Sequence, residues 1–411
     1  MEQDSIIMGS HNKKSTLLTV LRSEKETKEC IESISGADWR ELHEDAEKHG
    51  VASLVYDCLK RLGIAMPSEI EKKLRVAYLR TAETNSLYYH YIDIVFSACE
   101  ELSIEVIPLK GIYLAKNIYG NIALREMIDI DILVRPEDLE QLDAVVVDRG
   151  FTPMQELRGP LLEEGHNLRY IHAECGLNLE VHWNLMDPAD NVSVDIEDLW
   201  DRSVEVGSSK GALRNLSIED LFLHLAVHNA NHTFSFGLRG LYDLKVSIGK
   251  FYDLLDWSLL VSIARKWGAT RALYVNLMLL DALFFQRAPD GVLERLIPGG
   301  IKERYLDASK ELVFAFYEPN NPAFANWSEP DHASIGNIME FVFPSLRTVH
   351  LKYPLARNRL QVLLYYPIYY KDRLIKYWDS IWGLVFRAES KTKEKKRYGD
   401  VLTVKKWLLS E

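Results

Sequence analysis

The sequence predicts an α+β fold, a small mixed β-sheet flanked by helical N-terminal and C-terminal regions. Apolar side chains recur at helical spacing through residues 16–100 and again from residue 216 onward. Between them, residues 101–215 hold short β-branched runs punctuated by Gly and Pro. One run, Ile128-Asp129-Ile130-Asp131-Ile132-Leu133-Val134, sets two aspartates at alternate positions of an otherwise apolar strand. The expected organisation is a frayed segment 1–15, a helical region 16–100, an α/β core 101–215 and a helical domain 216–411.

The first 15 residues are polar and carry no signal-peptide core. Asp38 is the expected N-cap of a first helix that Gly50 closes. Residues 51–62 form a second helix, ended by Gly63. Pro67-Ser68-Glu69 opens a third, which runs through Tyr88-Tyr89-His90-Tyr91, an aromatic cluster assigned to the core. Ile104-Glu105-Val106-Ile107-Pro108 reads as a buried strand. It leads through Lys110-Gly111 into a helix with Ile112, Leu114, Ala115, Ile118 and Tyr119 at helical spacing. After the aspartate strand, Arg135-Pro136-Glu137-Asp138 opens a helix that ends at Gly150, its proline and acids suiting a first turn. A strand over residues 151–157 follows. Residues 168–174 and 177–185 read as a hairpin turning at Cys175-Gly176. Ser217 and Asp220 then fit a capping box opening a helix. Residues 272–285 form a buried helix rather than a membrane span, being interrupted by Asn276 and Asp281.

The aspartate strand is where chemistry is expected. In a strand, i and i+2 point to one face. Ile128, Ile130 and Ile132 therefore enter a core, and Asp129 and Asp131 share the opposite face. Adjacent carboxylates repel, and a cation between them relieves the repulsion. Hard oxygen donors of this kind suit Mg²⁺, whose remaining ligands are typically substrate phosphates and water. A solvated edge strand would show the same alternation. Lys110-Gly111, however, sits where a new helix presents unpaired N–H groups, an arrangement that attracts anions. In the hairpin, Leu177, Leu179, Val181, Trp183 and Leu185 share one face while Glu180 and His182 share the other. Glu180 is thereby available as a third metal-binding carboxylate, or is simply a residue of a half-exposed strand. His224, His228 and His232 follow at i, i+4 and i+8 along one helix face, as pocket lining, as phosphate contacts or, least favoured, as zinc ligands. Arg239 and Asp243 stand at i, i+4, either a surface ion pair or an arginine facing a phosphate.

Leu109-Lys110-Gly111, Arg125, the Asp129-Ile130-Asp131 strand, Arg135-Pro136-Glu137-Asp138 and Glu180-Val181-His182-Trp183 together resemble the uncharacterised nucleotidyltransferase family, within the DNA polymerase β-type superfamily. The resemblance continues through Ser217-Ile218-Glu219-Asp220-Leu221, His228, His232 and Leu238-Arg239-Gly240-Leu241-Tyr242-Asp243-Leu244. It implies a nucleotidyltransferase core that moves a nucleotidyl group from an NTP, with two Mg²⁺ (or Mn²⁺) held by Asp129, Asp131 and Glu180 as metal and catalytic residues. Lys110, Gly111, Arg125, His228, His232 and Arg239 would bind the nucleotide. The acceptor would be a hydroxyl or phosphate of a small molecule or peptide. The same clamp would serve sugar or phosphosugar transfer from a nucleotide-sugar, or a non-catalytic nucleotide-binding module. Two departures stand out. Lys110-Gly111 replaces the superfamily's Gly-Gly or Gly-Ser, a change the family shares, and Ile128 stands where the family tends to carry glycine before the first aspartate.

Composition narrows the class. The net charge of −11 argues against a protein that tracks a polynucleotide backbone. Cys30, Cys58, Cys99 and Cys175 show neither disulfide nor metal spacing, fit a reducing cytoplasm and are expected to fill apolar space. A basic, aromatic stretch at 371–396, with Lys371, Arg373, Lys376 and Arg387 among Tyr377, Trp378 and Trp382, is a candidate surface for a membrane or an acidic partner, or an ordinary packed helix with a solvated linker.

Overall fold

The computed structural model describes residues 15–31, 34–154, 165–187, 191–206, 212–297, 299–314, 366–367 and 404–409. The chain divides into two compact units, residues 1–316 with 407–411 and residues 317–406. The basic stretch 371–396 and segment 1–14 lie outside the described residues.

Five helices come first: α1 (Ser15–Arg22), α2 (Glu24–Ile31), α3 (Gly36–Lys48), α4 (Ala52–Arg61) and α5 (Ser68–Leu102). The cap of α3 is Ser35 rather than Asp38. The Ser35 hydroxyl accepts from Asp38 N–H and the Asp38 carboxylate accepts from Ser35 N–H, so Asp38 is the third helical residue of a capping box. Gly50 and Gly63 follow α3 and α4 with φ of +63° and +68°, conformations that glycine adopts without penalty.

The sheet has strand order β1-β2-β5-β4-β3, with β1 (Val106–Pro108), β2 (Ile130–Val134), β3 (Phe151–Pro153), β4 (Asn167–His172) and β5 (Asn178–His182). The β2–β5 pairing is parallel and the others are antiparallel, which makes the sheet mixed. Helix α6 (Lys110–Asn117) leaves β1 directly, and α7 (Leu139–Asp148) joins β2 to β3. One face of the sheet forms the core. Ile130, Ile132 and Val134 of β2, Leu168 and Tyr170 of β4, and Leu179 and Val181 of β5 pack against Tyr88, Ile92 and Val95 of α5 and Leu142 and Val146 of α7. Each of these side chains contributes roughly 1.5–3 kcal/mol by leaving water. That anchorage fixes the register, and a one-residue slip would bury the acids instead.

Several expectations are corrected here. The aspartate strand begins at Ile130, not Ile128. Ile128 and Asp129 form a bend before it, so Ile128 is 62% exposed instead of core. The Tyr88 hydroxyl donates to the Ile128 carbonyl, and the Asn85 amide donates to the Ile122 and Arg125 carbonyls. These bonds from α5 shape the approach to β2 and satisfy carbonyls that no strand partner takes up. β3 stops at Pro153, and residues 155–157 lie outside the described part. Cys58 and Cys99 are buried, but Cys175 is exposed in the hairpin turn, its thiol 3.3 Å from His172 Nδ1.

A short helix, α8 (Ile196–Arg202), and a two-stranded ribbon of β6 (Val204–Glu205) and β7 (Arg214–Asn215) lead to the helical part. That part holds α9 (Ile218–Asn231), α10 (Leu238–Phe251), α11 (Trp257–Lys266), α12 (Thr270–Phe284), α13 (Val292–Leu296) and α14 (Glu303–Val313). The Ser217 hydroxyl accepts from Asp220 N–H, as expected of the cap. The Asp220 carboxylate, fully buried, turns to Arg202 with two bonds of 2.8 Å and ties α9 to α8. No helix among the described residues is long and apolar enough to cross a membrane.

Candidate active site

The face of the sheet opposite the core carries the acids. Asp131 of β2 and Glu180 of β5 are register partners in the parallel pair, so their side chains rise side by side. His182 stands two residues on, on the same face. Its Nε2 is 3.0 Å from Asp131 Oδ1 and 3.6 Å from Glu180 Oε2. These three groups each offer a ligand atom, all within 4.8 Å of one another. Asp129 lies just outside that set, in the bend, but feels Asp131, Lys110, Glu180 and Arg125. Burial, and then the charge of Asp131, push its carboxyl up to about 6. Burial alone would raise Asp131 too. Lys110 and His182 outweigh it and hold that carboxyl well below the usual carboxylate range.

Lys110 reaches this centre from the β1–α6 junction, its Nζ 2.8 Å from Asp131 Oδ1. Burial opposes its charge, but Asp131 prevails and raises its pKa. Its backbone is left-handed, with φ +42°, a conformation of real cost for a side chain that a catalytic position can retain. Gly111 follows. A Cβ there would sit 2.6 Å from Arg125 Nη1 and 2.8 Å from Met127 Cγ and Sδ. The glycine is therefore needed for Arg125 and Met127 to pass over the start of α6.

Arg125, rather than Arg239, is the ion-pair partner of Asp243. Arg125 is bound by Asp243 of α10, with Nη2 3.0 Å from Oδ2, while the Tyr119 hydroxyl donates to Oδ1 at 2.7 Å. Burial works against the Arg125 charge, and Asp243 more than restores it. Asp243 is thus already engaged, and the Arg239–Asp243 helix pair does not form. Arg239 has no ion pair among the described residues. Its Nη1 reaches only the Glu126 carbonyl at 3.4 Å, and its guanidinium lies 5.7 Å above the Phe236 ring. Burial and the neighbouring Arg125 push its pKa down. Among the described residues no carboxylate hydrogen-bonds it, and Asp243, Glu126 and Asp129, acting at longer range, only partly offset burial and Arg125.

Helix α9 flanks the acid centre. The buried His224 ring feels Lys110, His182 and Asp131, and both its nitrogens lack partners. His228 feels Lys110, stacks on Phe236 at 4.9 Å and meets the His232 ring edge-on at 4.6 Å. His232 is the C-cap of α9. His224 and His228 therefore face the acid centre most directly.

Sequence reasoning missed Asn167 and Asn85, and read Asp243 only as a helix neighbour of Arg239. Asn167 of β4 opposes His182, and its amide donates to Glu180 Oε2 at 3.1 Å. The signal available for Asn167 was alternation on the strand paired with Glu180. Asn85 carries no local signal, because its partners lie 37 and 40 residues away, and nothing local marks Arg125, 118 residues from Asp243, as the partner of that carboxylate.

Residues 35–285 match the family described as Uncharacterised nucleotidyltransferase. Two solved structures of the antibiotic-resistance factor ANT(2'')-Ia align at 13% identity. They cover 46% and 45% of this chain and 95% and 97% of their own, with TM-scores of 0.33 and 0.32, and the second is in complex with adenylyl-2''-tobramycin. No curated protein matches the chain.

Proposed function

The chain belongs to the uncharacterised nucleotidyltransferase family and is a transferase; from that premise we propose that it moves a nucleotidyl group from an NTP to a hydroxyl or phosphate of a small-molecule or peptide acceptor. The observation that carries the reading is a charge pattern with two poles. Asp129, Asp131 and Glu180 cluster with Lys110 as their near cation, and Arg239 lies beside Arg125 with no carboxylate among the described residues in hydrogen-bond contact. A metal–triphosphate complex is complementary to that pattern, cationic at one end and anionic along the other.

The donor set fits a hard divalent cation, since three carboxylates against one ammonium leave a negative surplus. Bound there by Asp129, Asp131 and Glu180, two Mg²⁺ or Mn²⁺ would neutralise charge on the attacking and leaving oxygens. The protein's own groups do the rest. Lys110 and Arg239, with Arg125 behind them, would orient the triphosphate so that the α-phosphorus faces Glu180. Glu180, steadied by Asn167, would take the acceptor proton as the acceptor oxygen bonds to the α-phosphorus and the bond to pyrophosphate breaks. Helix α9 would limit water on the side of His224 and His228.

The test is incubation with α-³²P-labelled NTPs and a cell extract, followed by mass spectrometry of whatever acquires label. Label in a small molecule or peptide with release of pyrophosphate is expected. Label that appears equally with Asp129→Asn/Asp131→Asn protein refutes the reading. Calorimetry of Mg²⁺ with NTP should likewise lose its signal in that double variant.

A further inference from the structure

We propose that His182 is itself a metal ligand beside Asp131 and Glu180, so that the site takes a first-row transition cation such as Mn²⁺ in preference to Mg²⁺. The proposal rests on the metal-dependent reading above and adds a donor that the three-carboxylate scheme lacks.

The distances carry it. Neighbouring ligands around a cation with bonds of about 2.1 Å lie about 3.0–3.5 Å apart, whether the geometry is octahedral or tetrahedral. His182 Nε2 is 3.0 Å from Asp131 Oδ1, to which it donates a hydrogen bond when no cation is bound, and 3.6 Å from Glu180 Oε2. Both separations also match edges of such a polyhedron. Nε2 would join it by its lone pair with the proton on Nδ1, a buried atom that has no other partner among the described residues. All three donors lie within 4.8 Å of one another. They stand on two paired strands of the same sheet, the most rigid placement this fold offers. Lys110 Nζ at 2.8 Å from the same Asp131 oxygen marks the demand for positive charge at this point.

A second observation points into the same place. His224, 2% exposed, comes from α9 within electrostatic reach of Lys110, His182 and Asp131, and both its ring nitrogens lack partners. Buried polar atoms without partners are rare in native proteins and ask for a ligand, an ion or water. The open atoms here belong to His182, a residue of the donor cluster whose Nδ1 has no partner, and to His224 within its electrostatic reach.

The choice of cation follows from the donor. Mg²⁺ demands oxygen ligands and near-ideal octahedral geometry. Imidazole is a softer donor and favours first-row transition cations, for which affinity in a given site rises from Mn²⁺ onward. A mixed site of two carboxylates and one imidazole tilts away from Mg²⁺ for that reason.

The experiment is pulsed electron paramagnetic resonance of the purified full-length protein with Mn²⁺ alone, reading nitrogen couplings to the ion, paired with Mg²⁺ competition. The expected result is an imidazole nitrogen coupling that His182→Asn abolishes and that His166→Gln and His224→Gln retain. Mn²⁺ affinity in His182→Asn should fall by about 10–100-fold, at least what loss of an outer-shell partner costs, with a smaller loss for Mg²⁺. Bound Mn²⁺ with no nitrogen coupling in the wild type would overturn the His182 assignment and leave the carboxylate site standing. No bound Mn²⁺ at all would overturn the metal reading together with it. If His182→Asn does not fold, the wild-type spectrum still decides whether a nitrogen is bound. Loss of the coupling in His166→Gln or His224→Gln would then reassign it away from His182.

Discussion

Two arginines that look interchangeable in the sequence are opposite in energetics. Arg125 is charge-paired with Asp243, which also accepts from Tyr119. Arg125→Met would strand a carboxylate that is 3% exposed, and breaking a buried pair from one side costs about 3–5 kcal/mol. Urea unfolding should show that loss. Arg239 makes no ion pair among the described residues whose loss would strand a carboxylate, and its charge, disfavoured by burial and by Arg125, is only partly supported by Asp243, Glu126 and Asp129. Arg239→Met should therefore leave the urea midpoint unchanged or raise it, while NTP affinity drops by about 1.5–3 kcal/mol, the worth of a hydrogen bond to a charged group. A destabilised Arg239→Met with wild-type NTP affinity would show the arginine to be structural and remove it from the phosphate clamp.

At the scale of elements, the β1–α6 junction concentrates the constraint. Gly111→Ala would press a methyl against Arg125 Nη1 and Met127, and Arg125 cannot yield freely because Asp243 holds it. We expect a loss of about 1–3 kcal/mol, typical of overpacking, read as a lower melting temperature. A Gly111→Ala protein that melts like wild type would mean the loop over α6 has room the structure does not show. This junction also shows how far the sequence could be read. The alternation of Ile130, Ile132 and Val134 with Asp131, and of Leu179 and Val181 with Glu180, is a local signal that a sheet with one buried face enforces, so the strands and their acid face were legible. The cap at Ser217 was legible, but that of α3 was not: the expected cap was Asp38, while the cap is Ser35 three residues before it, because both residues bond across the same turn. The start of β2 was not legible. Ile128 has strand propensity, but Tyr88 and Asn85 of α5 hold the preceding backbone, and that is tertiary override of a local preference. The pairing of Arg125 with Asp243 in place of Arg239 with Asp243 failed to show for the same reason, since a long-range partner outcompeted the helical neighbour.

Over the whole molecule, buried histidines govern the response to acid. The chain carries a net charge of −11, and several of its imidazoles sit where a proton is unwelcome. Burial, and then nearby cations, push His166 down to about 4 and His224 down to about 3, and hold His228 well below its usual value. In the unfolded chain each would take up a proton near the ordinary histidine value of about 6.5. As pH falls from about 6.5 toward 4, the unfolded state thus binds protons that the folded state refuses, and stability must fall. Asp129 acts in the opposite direction. Its carboxyl, raised to about 6, takes a proton in the fold before it would in the unfolded chain, which favours the fold over part of the same window. Three imidazoles outweigh one carboxyl, so the net effect is loss. Asp131 adds a further loss at lower pH, because a carboxyl held below its usual range contributes stability only while it remains ionised. The urea midpoint should therefore be flat from pH 8 to 7 and decline steadily from about pH 6.5 to 4.5. His224→Gln, which removes a titrating group while keeping a polar side chain, should make that decline shallower. A midpoint that stays level or rises on acidification would show that His166, His224 and His228 accept protons in the folded protein, and that the cleft beside Lys110 is wetter and more anionic than its packing indicates.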